Sequence, residues 1–253
     1  MSTLAIIAAR QGSSRLAGKT LMSVAGKPML ERMVERIRLA PSIDSIIVAT
    51  TTLAEDDELE AFCGTLEIGC YRGAVHDVLG RIAAAVRETE ADTVVELLGD
   101  NPLVHADLVE DVLALYRRSG ADYAVNLTNE YPKADPSLLR FPIGVRAQAF
   151  SRATLDRCEA DGRSDDHREH PTSYIGENPE IFKIEYLEAK GRWAPLNRPE
   201  LTFAVNVRAN LELVDKIFNI GLARDGNFSM AEAIEIYDAN PALAALVGND
   251  AVV

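Results

Sequence analysis

The sequence predicts a three-layer α/β/α sandwich, and three observations carry that prediction. Short apolar runs of strand type alternate with amphipathic stretches of helical period, a pattern that gives parallel strands joined by crossover helices. The first run feeds directly into a Gly/Ser-rich loop, as happens at the carboxyl edge of an open α/β sheet. The chain has 253 residues, 47% of them apolar, enough for one substantial core or at most two small ones. No internal repeat or low-complexity tract interrupts the pattern.

Leu4 to Ala9 reads as a short buried strand, followed by the loop ARQGSSRLAGKTLMSVAGK from Ala9 to Lys27. A helix is predicted from Lys27 to Leu39, with Leu30, Met33, Val34 and Ile37 on one face and Pro28 in its first turn, where a missing N–H is harmless. Ser45 to Thr50 and Val94 to Leu98 read as strands, and Asp56 to Leu66, Asp77 to Arg87 and Asp107 to Arg118 as helices. Past Thr128 the pattern turns irregular, with five prolines between Pro132 and Pro179 and a charged stretch from Ala160. Such long excursions in compact domains are usually functional or disordered. Regular structure is predicted to resume with a strand at Leu201 to Val205 and helices at Ala209 to Ile220 and Met230 to Ala239.

Composition excludes several classes. A formal charge of −13 argues against nucleic acid as a partner. No run approaches the ~18 apolar residues of a membrane span, and the start of the chain lacks the pattern of a secretion signal, so the cytoplasm is the expected compartment. Cys63, Cys70 and Cys158 are odd in number and lack metal-ligand spacing, so they read as reduced thiols.

The loop after the first strand holds Arg10, Arg15, Lys19 and Lys27, and no acid precedes Glu31. A purely basic segment in so acidic a chain needs an anion to face, and a triphosphate is the natural candidate. It is not a Walker A loop, because five residues separate Gly12 from Gly18 where that motif has four. The alternative is an ordinary solvated loop.

Asp100 in LLGDNPL follows an apolar strand, with Gly99 giving room beside it. A carboxylate there suits Mg²⁺, which takes one or two protein carboxylates and completes its shell with phosphate and water. A turn former or helix cap is the competing role. His167 and His170 lack a third zinc ligand of suitable spacing. His76 and His105 sit at helix starts, where exposure is expected, and Trp193 could serve packing or recognition.

The run IIAARQGSSRLAGKTLMSVAGKPML from Ile6 resembles the signature of cytidylyltransferases that activate sugar acids, a group including the CMP-Kdo synthetases, the acylneuraminate enzymes and the SpsF-like proteins. Further segments match the SpsF-like branch in order: ATTTLAEDDELE, YRGAVHDVLGR, LLGDNPLVHADLVEDV and HREHPTSYIGENPEIFKI. The resemblance implies a Rossmann-like mixed sheet of the nucleotide-diphospho-sugar transferase type in one domain over 1–253. An excursion at about 128–200 would bind the acceptor and support a homodimer.

It also implies that CMP passes from CTP to the acceptor with Mg²⁺ as cofactor and pyrophosphate as leaving group, without nucleic acid or membrane. Ala8, Ala9, Arg10, Gly12, Ser13, Arg15 and Lys19 would bind the nucleotide, with Lys27 behind them and Arg72 and Asp77 alongside. Arg10, Arg15, Lys19 and Asp100 would be catalytic, with Asp100 the metal ligand.

Two departures from the family pattern stand out. Where relatives carry a second metal carboxylate this chain has Asn206, which offers a neutral oxygen. Where they read Y-P-D-G-L-D-V-E, this chain reads Phe141-Pro142-Ile143-Gly144-Val145-Arg146-Ala147-Gln148. Arg146 and Gln148 are therefore acceptor-side candidates, an added guanidinium suiting an anionic acceptor, and the resemblance at REHPTSYI implies that His170 lies at the acceptor pocket or a dimer contact. Surface drift at these positions is the alternative. Two rival functions stay open: a nucleotide-sugar glycosyltransferase, although Asp100-Asn101-Pro102 supplies no D-x-D, and a binding homologue that has lost activity.

Overall fold

The computed structural model describes residues 2–246. The first strand, β1 (Thr3–Ala8), is apolar from Leu4 onward because both its faces are covered. A small hairpin, β2 (Ser23–Val24) with β3 (Lys27–Pro28), leads into α1 (Met29–Ile37). Then follow β4 (Ser45–Thr51), α2 (Asp57–Thr65), β5 (Gly69–Gly73), α3 (Val78–Arg87), β6 (Thr93–Leu98) and α4 (Ala106–Ser119). Among these, β1, α1, β4, α2, α3, β6 and α4 match predicted elements to within two residues, with Pro28 as the N-cap of α1 rather than in its first turn, while β2, β3 and β5 lie outside the prediction.

The second half comprises β7 (Tyr123–Asn126), β8 (Ala147–Ser151), α5 (Arg152–Asp161), α6 (Asp165–Glu169), α7 (Ser173–Glu177) and β9 (Ile184–Leu187). Three further helices close it: α8 (Arg208–Asp225), α9 (Met230–Ala239) and α10 (Pro241–Ala244). Seven strands form one mixed sheet in the order β5-β4-β1-β6-β8-β7-β9, parallel except for β8, which runs antiparallel to both neighbours. The stretch 128–200 thus threads β8 into the middle of the sheet and β9 onto its edge, as well as forming loops.

Layering follows from which way alternate residues point. Ala5 and Ile7 pack with α1, α2, α4, α8 and α9 on one face, and Leu4 and Ile6 with α3, α5 and α7 on the other. Each such fully buried aliphatic side chain contributes about 1.5–3 kcal/mol. The sandwich is therefore of the predicted three-layer kind.

Leu201 to Val205 is not a strand. Thr202 makes a single bridge to Ile143, and Val205 N–H donates to the Asp100 carbonyl (2.8 Å), so the segment strings between two loops rather than along a partner strand. Gly144 makes this crossing possible: at φ +91°, an added Cβ would lie 2.0 Å from the Ala204 nitrogen. His105 also departs from expectation. It is 7% exposed, and its Nδ1 accepts from Asp107 N–H at the start of α4.

Candidate functional site

A cleft of about 790 Å³ opens at the carboxyl ends of β1 and β6. Its nucleotide half begins with the loop after β1. The Gln11 carbonyl accepts from both Ser13 N–H (2.9 Å) and Gly18 N–H (2.8 Å), and Gly18, at φ +74°, turns the chain back. The fully buried carboxylate of Asp56 takes Gln11 N–H (2.7 Å) and Thr51 N–H (3.1 Å), fixing the loop to the β4–α2 connection. The basic loop is therefore braced from behind by backbone hydrogen bonds.

Lys19 reaches across to Asp100 Oδ2 (3.1 Å) and to the Val205 carbonyl (2.7 Å). Gly99 lets the chain leaving β6 lie against the end of β1, because a Cβ there would come within 2.7 Å of Ala9 Cβ and 2.8 Å of the Ala8 carbonyl oxygen. Beside the pair, Asn206 Oδ1 is buried without a hydrogen-bond partner among the described residues. An orphaned amide oxygen next to a carboxylate is a set that a hard cation accepts. The residues present therefore fit Mg²⁺.

Of the residues predicted for the site, Ala8, Ala9, Arg10, Ser13, Arg15, Lys19, Asp100, Arg146, Gln148, His170 and Asn206 all line this one cleft. Four do not. Lys27 is held by Glu31 (2.6 Å) and Glu35, whose carboxylates raise its pKa, and so sits outside the phosphate loop's cleft. Arg72 binds Asp57 (2.5 Å), Glu60 (2.9 Å) and the carbonyls of Thr51 and Leu53. Asp77 caps α3 through Gly80 N–H (2.8 Å) and pairs with Arg168. Gly12 packs against the Glu55 side chain.

Two buried, charged cleft residues escaped the sequence reading. Arg81, one turn into α3, is 3% exposed with its Nε unpartnered. Burial lowers its pKa, and the nearby Arg10 charge acts in the same direction, as expected where two cations wait for an anion. The DVLGR run contained it. The second is Glu96 on β6, opposite Gln148 on β8.

The acceptor half is built differently. The Tyr123 hydroxyl donates to Gln148 Oε1 and accepts from the Tyr131 hydroxyl (2.8 Å), and the same Gln148 oxygen accepts from Thr172 (3.1 Å). Arg146 pairs with Glu130 (3.1 Å), lies over the Tyr131 ring and keeps a buried, unpartnered Nε. Burial opposes its charge, but Tyr131, Glu130, Tyr123 and Glu96 together hold its pKa above the ordinary value. His170 is exposed at the rim. His167 is tied to Glu177 (2.9 Å), and Trp193 is buried against Phe141 with its indole N–H on Asp111, so its role is packing.

A mostly parallel sandwich with a basic, acid-free loop facing a lone carboxylate across a deep cleft is a nucleotidyltransferase architecture. Residues 4–192 match the profile of the family described as cytidylyltransferase, and the chain belongs to that family. It is 26% identical to the spore coat polysaccharide biosynthesis protein SpsF of Bacillus subtilis over 94% of this chain and 95% of that one. It is 30% identical to the 8-amino-3,8-dideoxy-manno-octulosonate cytidylyltransferase of Shewanella loihica, over 61% of this chain and 66% of that one. A cytidylyltransferase structure from Leptospira borgpetersenii serovar Hardjo-bovis matches all of this chain and 99% of its own with a TM-score of 0.85 at 23% identity. Among the described residues no helix is long and apolar enough to cross a membrane.

Proposed function

We propose that this protein transfers CMP from CTP to an anionic sugar acid in the making of a surface polysaccharide or glycoconjugate, working in the cytoplasm as a homodimer. The observation that carries the reading is the Lys19–Asp100 pair (3.1 Å), in which a cation suited to phosphate and a carboxylate suited to Mg²⁺ meet in the cleft. The relatives named for sugar-acid cytidylyl transfer and polysaccharide synthesis support the substrate class.

An acceptor oxygen attacks the α-phosphorus in line. The new O–P bond forms as the bond from the α-phosphorus to the bridging oxygen breaks, pyrophosphate leaves with that electron pair, and the acceptor's proton passes to solvent. Little covalent help is needed, so positioning and charge do the work. Arg10, Ser13, Arg15, Lys19 and Arg81 hold the phosphates, and Asp100 with Asn206 would hold Mg²⁺. When bound, Mg²⁺ neutralises charge on the phosphate oxygens. Arg146, Gln148 and His170 orient the acceptor.

The test is pyrophosphate release from CTP, ATP, GTP and UTP in turn, with a panel of sugar acids and with non-acidic sugars. Turnover with CTP and an acid alone supports the reading. Pyrophosphate release that is indifferent to the acid group, or that needs another nucleotide, rejects it.

A further inference from the structure

Glu96 is a charged residue in the middle of an apolar strand, and nothing in the phosphate chemistry uses it. It sits on β6 between Ile6 of β1 and Gln148 of β8, it is 1% exposed, and it lines the floor of the cleft's acceptor half. Its Oε2 is buried without a hydrogen-bond partner among the described residues. Gln148, directly across the strand pair, makes no hydrogen bond to it among the described residues, its Oε1 accepting instead from Tyr123 and Thr172. Leaving a buried carboxylate unpaired is costly, so such a group persists where something from outside completes it.

The charge around it indicates what that something carries. Arg146 is the cation nearest in kind, yet it forms no ion pair with Glu96 and is already bound to Glu130. Around the same half of the cleft stand Asp166, Glu169 and Glu177, against a single further cation, Lys133. A purely anionic acceptor would satisfy Arg146 and meet repulsion elsewhere. An acceptor bearing both an acid group and an ammonium answers both ends of the floor, because each charge meets its opposite.

We propose that Glu96 is a specificity-determining residue that selects an amino-substituted sugar acid, its carboxylate taking the acceptor's ammonium while Arg146 takes the acid group. This rests on the sugar-acid reading above and sharpens it to amine-bearing substrates. Burial pushes the Glu96 carboxyl up to about 7, with Arg146 acting the other way, so the side chain holds its proton until a cationic partner draws it into the ionised form.

The test offers CTP, Mg²⁺ and a matched pair of acceptors, 3-deoxy-manno-octulosonate and 8-amino-3,8-dideoxy-manno-octulosonate, to the wild type and to Glu96→Gln. The wild type should favour the amine by tenfold or more in kcat/KM. Glu96→Gln should bring that preference to within twofold, with the KM for CTP unchanged as the sign of an intact fold. A wild type that favours the hydroxyl or treats the two alike overturns the proposal even if no variant folds, and so does a preference that survives in Glu96→Gln. Turnover of neither acid, in an enzyme that still binds CTP, overturns the proposal, and failure across the whole panel of sugar acids rejects the sugar-acid reading as well.

Discussion

The two halves of the cleft solve opposite problems. The nucleotide half gathers Arg10, Arg15, Lys19 and Arg81 around one carboxylate, Asp100, on a loop braced by the buried Asp56. The acceptor half gathers carboxylates around Arg146 and satisfies its buried hydroxyls through Gln148. The first is a general receiver of phosphate, shaped by backbone. The second is a set of side chains on three separate segments, and specificity is drawn from such groups because a missing partner there leaves a buried polar atom stranded.

Substitutions at the nucleotide half should produce the largest losses. Lys19→Ala removes a charge-assisted phosphate contact of roughly 1.5 to 3 kcal/mol, or about one to two decades in kcat/KM, with unchanged far-UV circular dichroism. Turnover near that of the wild type would mean the loop does not hold the phosphates. Asp100→Asn should raise the Mg²⁺ concentration for half-maximal rate by about tenfold, since a neutral oxygen holds a hard cation more weakly.

At the acceptor half, Arg146→Ala should raise the acceptor KM by about tenfold with the CTP KM within twofold, the signature of a ground-state contact on one substrate. Equal changes in both would erase the distinction between the halves.

Stability separates them too. Glu96 is lifted from 4.5 in the ordinary state to about 7 in the fold, so between those pH values the folded protein holds a proton that the unfolded chain releases. Folding stability is therefore lost as pH rises through that window, by at most about 3 kcal/mol for a shift of this size. Glu96→Gln should raise Tm at pH 8 and leave it unaltered near pH 4; equal Tm curves at all pH would show that Glu96 carries no burial penalty. The smallest effect belongs to Lys27→Ala, expected within twofold of the wild type in kcat/KM, because its ammonium serves Glu31 and Glu35.

Legibility in the sequence followed how local each feature is. The phosphate loop and Asp100 could be read because charge pattern and strand end lie side by side in the chain. Lys27 looked like one of the set, although its i,i+4 relation to Glu31 already offered another partner. Arg72 and Asp77 were likewise claimed by neighbours, Asp57 and Arg168, which folding brings in from two separate segments. The strands β5, β7 and β9 are short or glycine-bearing and carry no period of their own; the sheet around them makes them strands. Glu96 reads only as a blemish in VVELL until β8 is known to lie beside it, since no local rule names a cross-strand partner.

The contact between Lys19 and Asp100 has a thermodynamic consequence. Lys19 and Asp100 cover each other's charge, so a divalent cation that takes Asp100 strands Lys19, and a nucleotide that takes Lys19 strands Asp100. Metal and nucleotide together satisfy both at once. Their affinities should then be linked and mutually reinforcing, with Mg²⁺ tightening CTP by the same factor as CTP tightens Mg²⁺. Calorimetric titration of each in the presence and absence of the other would measure that factor, and in Asp100→Asn, where Lys19 has no carboxylate to give up, it should fall to the part that the direct contact of metal with phosphate supplies.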